Sequence, residues 1–273
     1  MTESPDAGSS PDLLPAPFLD WFARRGWAPR QHQLALLQKA REGHSALLIA
    51  PTGAGKTLAG FLPSLVDLAT RPPAGKGGRG PHTLYISPLK ALAVDIARNL
   101  EAPVAEIGLK IAIETRTGDT PAHKRQRQKL KPPEILLTTP EQLALLISNP
   151  DAGRFFGDLE TVIFDELHAL VTAKRGDLLS LGLARLRKLA PGLRAVGLSA
   201  TVSEPDDLRA WLMPQAPEAE RVLADLVTVS GGAKPEITIL DTEERLPWAG
   251  HSAVHAIGEI YEAVRANSMV LVF

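Results

Sequence analysis

Ala50-Pro51-Thr52-Gly53-Ala54-Gly55-Lys56-Thr57 follows the apolar run Ala46-Leu47-Leu48-Ile49 and precedes a helical stretch from Leu58 to Ala69. A strand, a glycine loop and a helix in that order form a phosphate cradle. The glycines let the backbone curl so that successive N–H groups converge, and the helix adds its positive N-terminal end. Lys56 then reaches the β- and γ-phosphates, and Thr57 offers a hydroxyl to Mg2+. Ala50 stands where the usual pattern has its first glycine, so the reading rests on Gly-x-Gly-Lys-Thr and its setting. The plainer alternative is a glycine turn before a helix.

Outward from the cradle, short apolar runs alternate with helical ones. Strands are expected at Thr83–Ile86, Lys110–Ile113, Ile135–Leu137, Thr161–Phe164 and Ala195–Leu198. Helices are expected at Ala91–Leu100, Ala122–Leu130, Glu141–Ser148, Leu178–Leu189 and Pro205–Trp211, with two more before the cradle, from Leu13 to about Gly26 and from Gln31 to Arg41. This alternation predicts an α/β fold: a central parallel sheet flanked by helices. In such sheets ligands sit beyond the carboxyl ends of the strands.

Two of those ends carry chemistry. Val162-Ile163-Phe164 runs into Asp165-Glu166-Leu167-His168, which places adjacent carboxylates after a buried strand. Beside a phosphate cradle, Asp165 suits the anchoring of Mg2+ and Glu166 the polarising of an attacking water. The oxygen-only donor set favours magnesium over zinc, and an acidic turn is the bland alternative. The strand Ala195–Leu198 ends in Ser199-Ala200-Thr201, whose hydroxyls either bond a neighbouring carboxylate or imidazole or simply cap the helix near Pro205.

The bulk numbers bound the rest. With 273 residues the chain can hold one large α/β domain and part of another. It contains no cysteine, which excludes disulfides and thiolate metal sites and fits a reducing compartment, the cytoplasm by default. Residues 1–12 read as a disordered leader, and no apolar run approaches a membrane span. A net charge of −1 neither advertises nor forbids nucleic acid. The basic run His123–Lys131 reads as a solvated helix face, with phosphate contact the alternative.

In order, Gln33, the cradle, Ser87-Pro88-Leu89-Lys90-Ala91-Leu92, Thr117-Gly118-Asp119-Thr120, Thr138-Thr139-Pro140-Glu141, Asp165-Glu166-Leu167-His168 and Ser199-Ala200-Thr201 resemble the first motor domain of superfamily 2 DEAD/DEAH-type helicases. Within that superfamily the chain is most similar to the large helicase-related (Lhr-like) family, and Lys174-Arg175-Gly176-Asp177 favours the branch found beside ATP-dependent DNA ligases.

The resemblance implies a RecA-like P-loop domain over residues 13–225. It also implies a linker and the incomplete start of a second RecA-like domain over 226–273, with strand-like segments at Thr228 and 237–240, a helix from about 251 to 265 and a last strand at 269–273. ATP and Mg2+ are the implied cofactors, with Lys56, Asp165 and Glu166 catalytic and Pro51, Thr52, Gly53, Ala54, Gly55 and Thr57 in the cradle. Gln33 would read the adenine edge. Ser87, Lys90, Thr117, Gly118, Thr138 and Thr139 would hold the phosphates of one strand, and His168, Ser199 and Thr201 would couple the two sites. The implied partner is single-stranded or partly duplex DNA, with RNA open, moved along 3′ to 5′. A functional link to a DNA ligase and a nuclease, and a monomeric state, are further implications. Lacking the second domain's arginines, the 273-residue chain is expected to bind ATP without unwinding a duplex.

Overall fold

A computed structural model describes residues 13–72, 79–172, 174–200, 202–229, 237–240, 256–267, 270 and 272. Two compact units divide the chain, Met1–Gly231 and Gly232–Phe273.

The first unit carries β1 (Ala46–Ile49), β2 (Thr83–Ile86), β3 (Ile113–Arg116), β4 (Ile135–Thr138), β5 (Thr161–Phe164), β6 (Arg194–Ser199) and β7 (Asp225–Thr228). They form one sheet in the order β3-β4-β2-β5-β6-β1-β7, and every pairing is parallel. Helices α1 (Ala16–Arg24), α2 (Gln31–Arg41), α3 (Lys56–Thr70), α4 (Lys90–Ile107), α5 (Ala122–Leu130), α6 (Pro140–Ile147), α7 (Ala152–Phe156), α8 (Leu167–Val171), α9 (Lys174–Leu189) and α10 (Pro205–Trp211) connect them.

Period-two alternation sorts the strand residues into two cores. Leu48, Tyr85, Leu137, Ile163 and Val196 face the layer that includes Phe18, Phe61 and Ile96. Their neighbours Leu47, Leu84, Leu136, Val162 and Ala195 face the layer of Phe156, Leu183 and Leu208. A sheet covered on both faces explains why these strands read as unbroken apolar runs. Burying each large aromatic contributes roughly 1.5–3 kcal/mol. Gly197 is required by closeness in this core: a Cβ there would lie 2.7 Å from Leu167 Cδ2 and 2.9 Å from Leu47 Cδ1.

The sequence reading shifts in several places, α9 for one beginning at Lys174 and not at Leu178. β3 begins at Ile113 instead of ending there. α4 passes through Pro103 to Ile107 and stops at Gly108, which is left-handed; Pro103 and Val104 are buried, and their packing offsets the lost helix hydrogen bond. Asp225–Thr228 joins the sheet beside β1 instead of leaving it. Residues 237–240 form no strand.

The second unit contains α11 (Ile257–Ala266). The strand expected at 269–273 falls mostly outside the described residues, as does the leader. Among the described residues no helix is long and apolar enough to cross a membrane.

Candidate functional site

The cradle begins where β1 stops. Gly53 and Gly55 both have φ +79°, a conformation glycine adopts without strain, and Gly55 precedes the first residue of α3. Lys56 folds back across the loop, donating to the Ala50 carbonyl at 2.9 Å. The Ala50 N–H in turn donates to the Ser199 carbonyl at 3.1 Å, joining the loop to the end of β6.

The start of α2 backs this loop. Arg30 Nη1 donates to the Gly53 carbonyl at 3.3 Å, and the Arg30 N–H donates to Gln33 Oε1 at 2.9 Å. Gln33 is buried, and a Cβ on Gly55 would lie 3.3 Å from its Nε2. It therefore lies against the cradle and is not a solvated helix residue. His32, also buried, meets the backbone of Ala54, and desolvation pushes its imidazole below the ordinary range. Arg30 and His32 are cradle residues that the sequence reading missed; their adjacency to Gln33 is the one signal it offered.

At the end of β5, Asp165 is buried with both oxygens engaged. The Tyr85 hydroxyl donates to Oδ2, and the Glu166 N–H donates to Oδ1 at 3.1 Å. Glu166 has φ 47° and is the one non-glycine with positive φ among the described residues, a conformation that costs roughly 1–3 kcal/mol and clusters at functional sites. His168 Nδ1 lies 2.8 Å from Ser199 Oγ and 3.6 Å from Glu166 Oε2. Pairing of β5 with β6 makes these contacts. Thr201 lies outside the described residues. Thr57 and Asp165 offer oxygen donors only, and a carboxylate oriented by two in-chain donors fits a hard divalent cation.

The remaining candidates gather at the ends of β2, β3 and β4. Ser87 Oγ donates to the Leu89 carbonyl at 3.1 Å, and Thr138 Oγ1 donates to the Arg116 carbonyl at 2.7 Å. The Thr117 hydroxyl accepts the Asp119 N–H at 3.3 Å. Ser87, Thr117, Thr138 and Thr139 are all buried, and the Ser87 and Thr138 hydroxyl protons are taken by these backbone carbonyls. Lys90 and Gly118 stay exposed, and Lys90 Nζ lies 3.0 and 3.2 Å from the two oxygens of Asp119. Arg175 bridges to Glu141 at 2.9 Å. In the basic run, Arg127 pairs with Glu114 at 2.6 Å and Gln128 is buried.

Two further clusters bring histidine and acids together: Glu42, His44 and Asp225, and Asp67, His82 and Glu160. Neither is at a strand's carboxyl end, and Lys39 in the first and Arg71 and Arg194 in the second already neutralise the carboxylates.

A family model described as DEAD/DEAH box helicase matches residues 30–208. A protein of Mycolicibacterium smegmatis named Lhr helicase/probable uracil glycosylase is 42% identical over 210 residues, covering 72% of this chain and 14% of its own length. The Lhr helicase/uracil glycosylase of Escherichia coli is 40% identical over 232 residues, covering 78% and 15%. The solved structure of a Mycobacterium smegmatis helicase Lhr bound to ssDNA and AMP-PNP superposes with a TM-score of 0.73 at 34% identity, over 92% of this chain and 32% of that one. The chain thus spans a small part of the length of these relatives.

Proposed function

The chain belongs to the DEAD/DEAH box helicase family, and from that premise we propose that it is the motor domain that binds ATP and Mg2+ in a DNA helicase or translocase of the repair type. One observation carries the reading: Ser199 touches both halves of the site. Its carbonyl accepts the cradle's Ala50 N–H, and its hydroxyl meets His168 beside Glu166. A change at the nucleotide thereby reaches the end of β5 in two contacts.

In this reading the cradle N–H groups and Lys56 hold the phosphates, and Lys56 exchanges its bond to Ala50 for a phosphate oxygen. Gln33 and Arg30 fix the loop from behind, and Gln33 faces the adenine. Thr57 and Asp165 would hold Mg2+, which supplies charge neutralisation at the phosphates. Glu166 orients the attacking water. Lys90 and Gly118 meet the DNA backbone, a recognition of phosphate and not of base. The 3′ to 5′ direction, monomeric state and link to a ligase and nuclease rest on the resemblance, and the cytoplasmic location on the absence of cysteine.

Binding of a fluorescent ATP analogue and of a single-stranded DNA oligomer tests the proposal. Lys56→Ala should weaken nucleotide binding by roughly 100-fold, the scale of losing one preorganised charge donor, while DNA affinity stays within twofold. Unchanged nucleotide affinity would sink the cradle assignment. Equal or tighter binding of the matching RNA would shift the substrate to RNA.

A further inference from the structure

Tyr85 is fully buried, and three parts of the site meet on it. Its ring stacks on Phe61 of α3, the helix that starts with Lys56, at 5.2 Å and 27°. Its hydroxyl donates to Asp165. Two residues later β2 has ended, and Ser87 opens the segment that carries Lys90.

We propose that Tyr85 is a positioning residue for the divalent cation that accompanies the nucleotide: its hydroxyl fixes the Asp165 carboxylate in the orientation that receives the cation. The inference rests on the nucleotide-site reading above. A carboxylate at a strand end swings about its χ2 torsion unless both oxygens are held. Here Glu166 N–H holds Oδ1 and Tyr85 holds Oδ2, so the lone pairs left over have a fixed direction. Hydrogen-bond partners behind a ligating group act on metal affinity through such orientation. A phenol that merely filled the core would be replaced by phenylalanine without consequence for metal.

Tyr85→Phe keeps the ring and its stack on Phe61 and removes the oxygen alone. The measurement is a Mg2+ titration at a fixed concentration of fluorescent ATP analogue, with a parallel titration of the analogue in EDTA. The half-saturating Mg2+ concentration should rise roughly tenfold, the lower end for partners behind metal ligands, while the EDTA affinity stays within twofold. An unchanged Mg2+ midpoint overturns the proposal, and so does an equal loss with and without metal.

A second measurement reads the wild-type ring directly. The chain has two tyrosines, Tyr85 and Tyr261, so 3-fluorotyrosine labelling gives two 19F signals. The signal lost in Tyr85→Phe, or the one insensitive to solvent quenchers if that variant does not fold, should shift with Mg2+ and nucleotide together and stay put with nucleotide in EDTA. No shift counts against the proposal. A wild-type chain whose nucleotide binding ignores Mg2+ overturns the underlying reading and this inference with it. A responsive wild type beside an unaltered variant overturns this inference alone.

Discussion

The two ends of the same sheet treat charge in opposite ways. At the amino ends, Arg194 donates to Asp67 at 2.9 Å, to the Ala40 carbonyl at 2.6 Å and to the Thr161 hydroxyl at 3.3 Å. Arg71 meets Glu160 at 3.0 Å, and the buried His82 lies 3.4 Å from the same carboxylate. Each acid there has a cation from its own chain. At the carboxyl ends, Asp165 has hydroxyl and N–H donors but no ion pair among the described residues, and Lys56 bonds a carbonyl. Strain is stored there too, in Glu166. Charges matched within the chain stabilise the fold, whereas charges left unmatched at strand ends await a ligand.

Removing Arg194 is the strongest way to break that contrast. Arg194→Ala should destabilise the chain by about 3 kcal/mol, because it leaves Asp67 without its cation in a half-buried setting. Denaturant unfolding reads the loss, and nucleotide affinity should hold. A drop in nucleotide binding without loss of stability would erase the distinction between the ends.

The opposite sign is expected at the site. Glu166→Asn places a residue more tolerant of positive φ at that position and should raise stability by about 1 kcal/mol in denaturant unfolding. Destabilisation by this variant would mean that Glu166 contributes to the fold as the amino-end charges do.

Acid sensitivity belongs to the amino ends. The Glu160 carboxyl is held below its ordinary value of 4.5, first by His82, with Arg71 and Arg194 adding to the effect and burial opposing it. Its folded value lies below its unfolded one, so the stability it confers is complete above about pH 4.5 and fades as pH falls through the folded value. Glu160→Gln should therefore flatten that acid limb of the unfolding curve, modestly, since the side chain is 46% exposed. An unaltered limb would remove Glu160 from the charge matching.

The smallest effect is expected at Lys90, which unlike Lys56 has an acid beside it. Asp119→Asn frees the ammonium and should tighten single-stranded DNA binding about twofold, with a salt slope steeper by up to about one counterion. Weaker binding would show that Asp119 itself supports the contact.

Much of this was legible in the chain. Central strands such as Val162-Ile163-Phe164 are buried on both faces, so their apolar runs stand out, and the glycine loop has a spacing few other structures demand. Edge strands were harder. β3 is Ile113-Glu114-Thr115-Arg116, mostly half-buried, and a strand with one neighbour tolerates polar residues, so the more apolar stretch before it attracted the assignment. β7 at the other edge alternates half-buried and exposed residues, so nothing local marks it as part of this sheet. The helix expected to end at Leu100 runs on to Ile107, because core packing carries α4 past Pro103. That the Ser87 and Thr138 hydroxyls bond carbonyls two and twenty-two residues away is shown by no local pattern.

Sequence by itself determined the α/β alternation, the cradle from Ala50 to Thr57 and the acids of Asp165-Glu166, because each depends on residue types at short spacings. Tertiary structure alone decided which distant groups meet: Ser199 with Ala50 and His168, Gln33 with Gly55, Tyr85 with Asp165. Strand order, set by how the two cores pack, brings together residues far apart in the chain, such as Ala50 and Ser199, 149 positions apart, or Ile49 and Val229, 180 apart, and no local pattern encodes that adjacency.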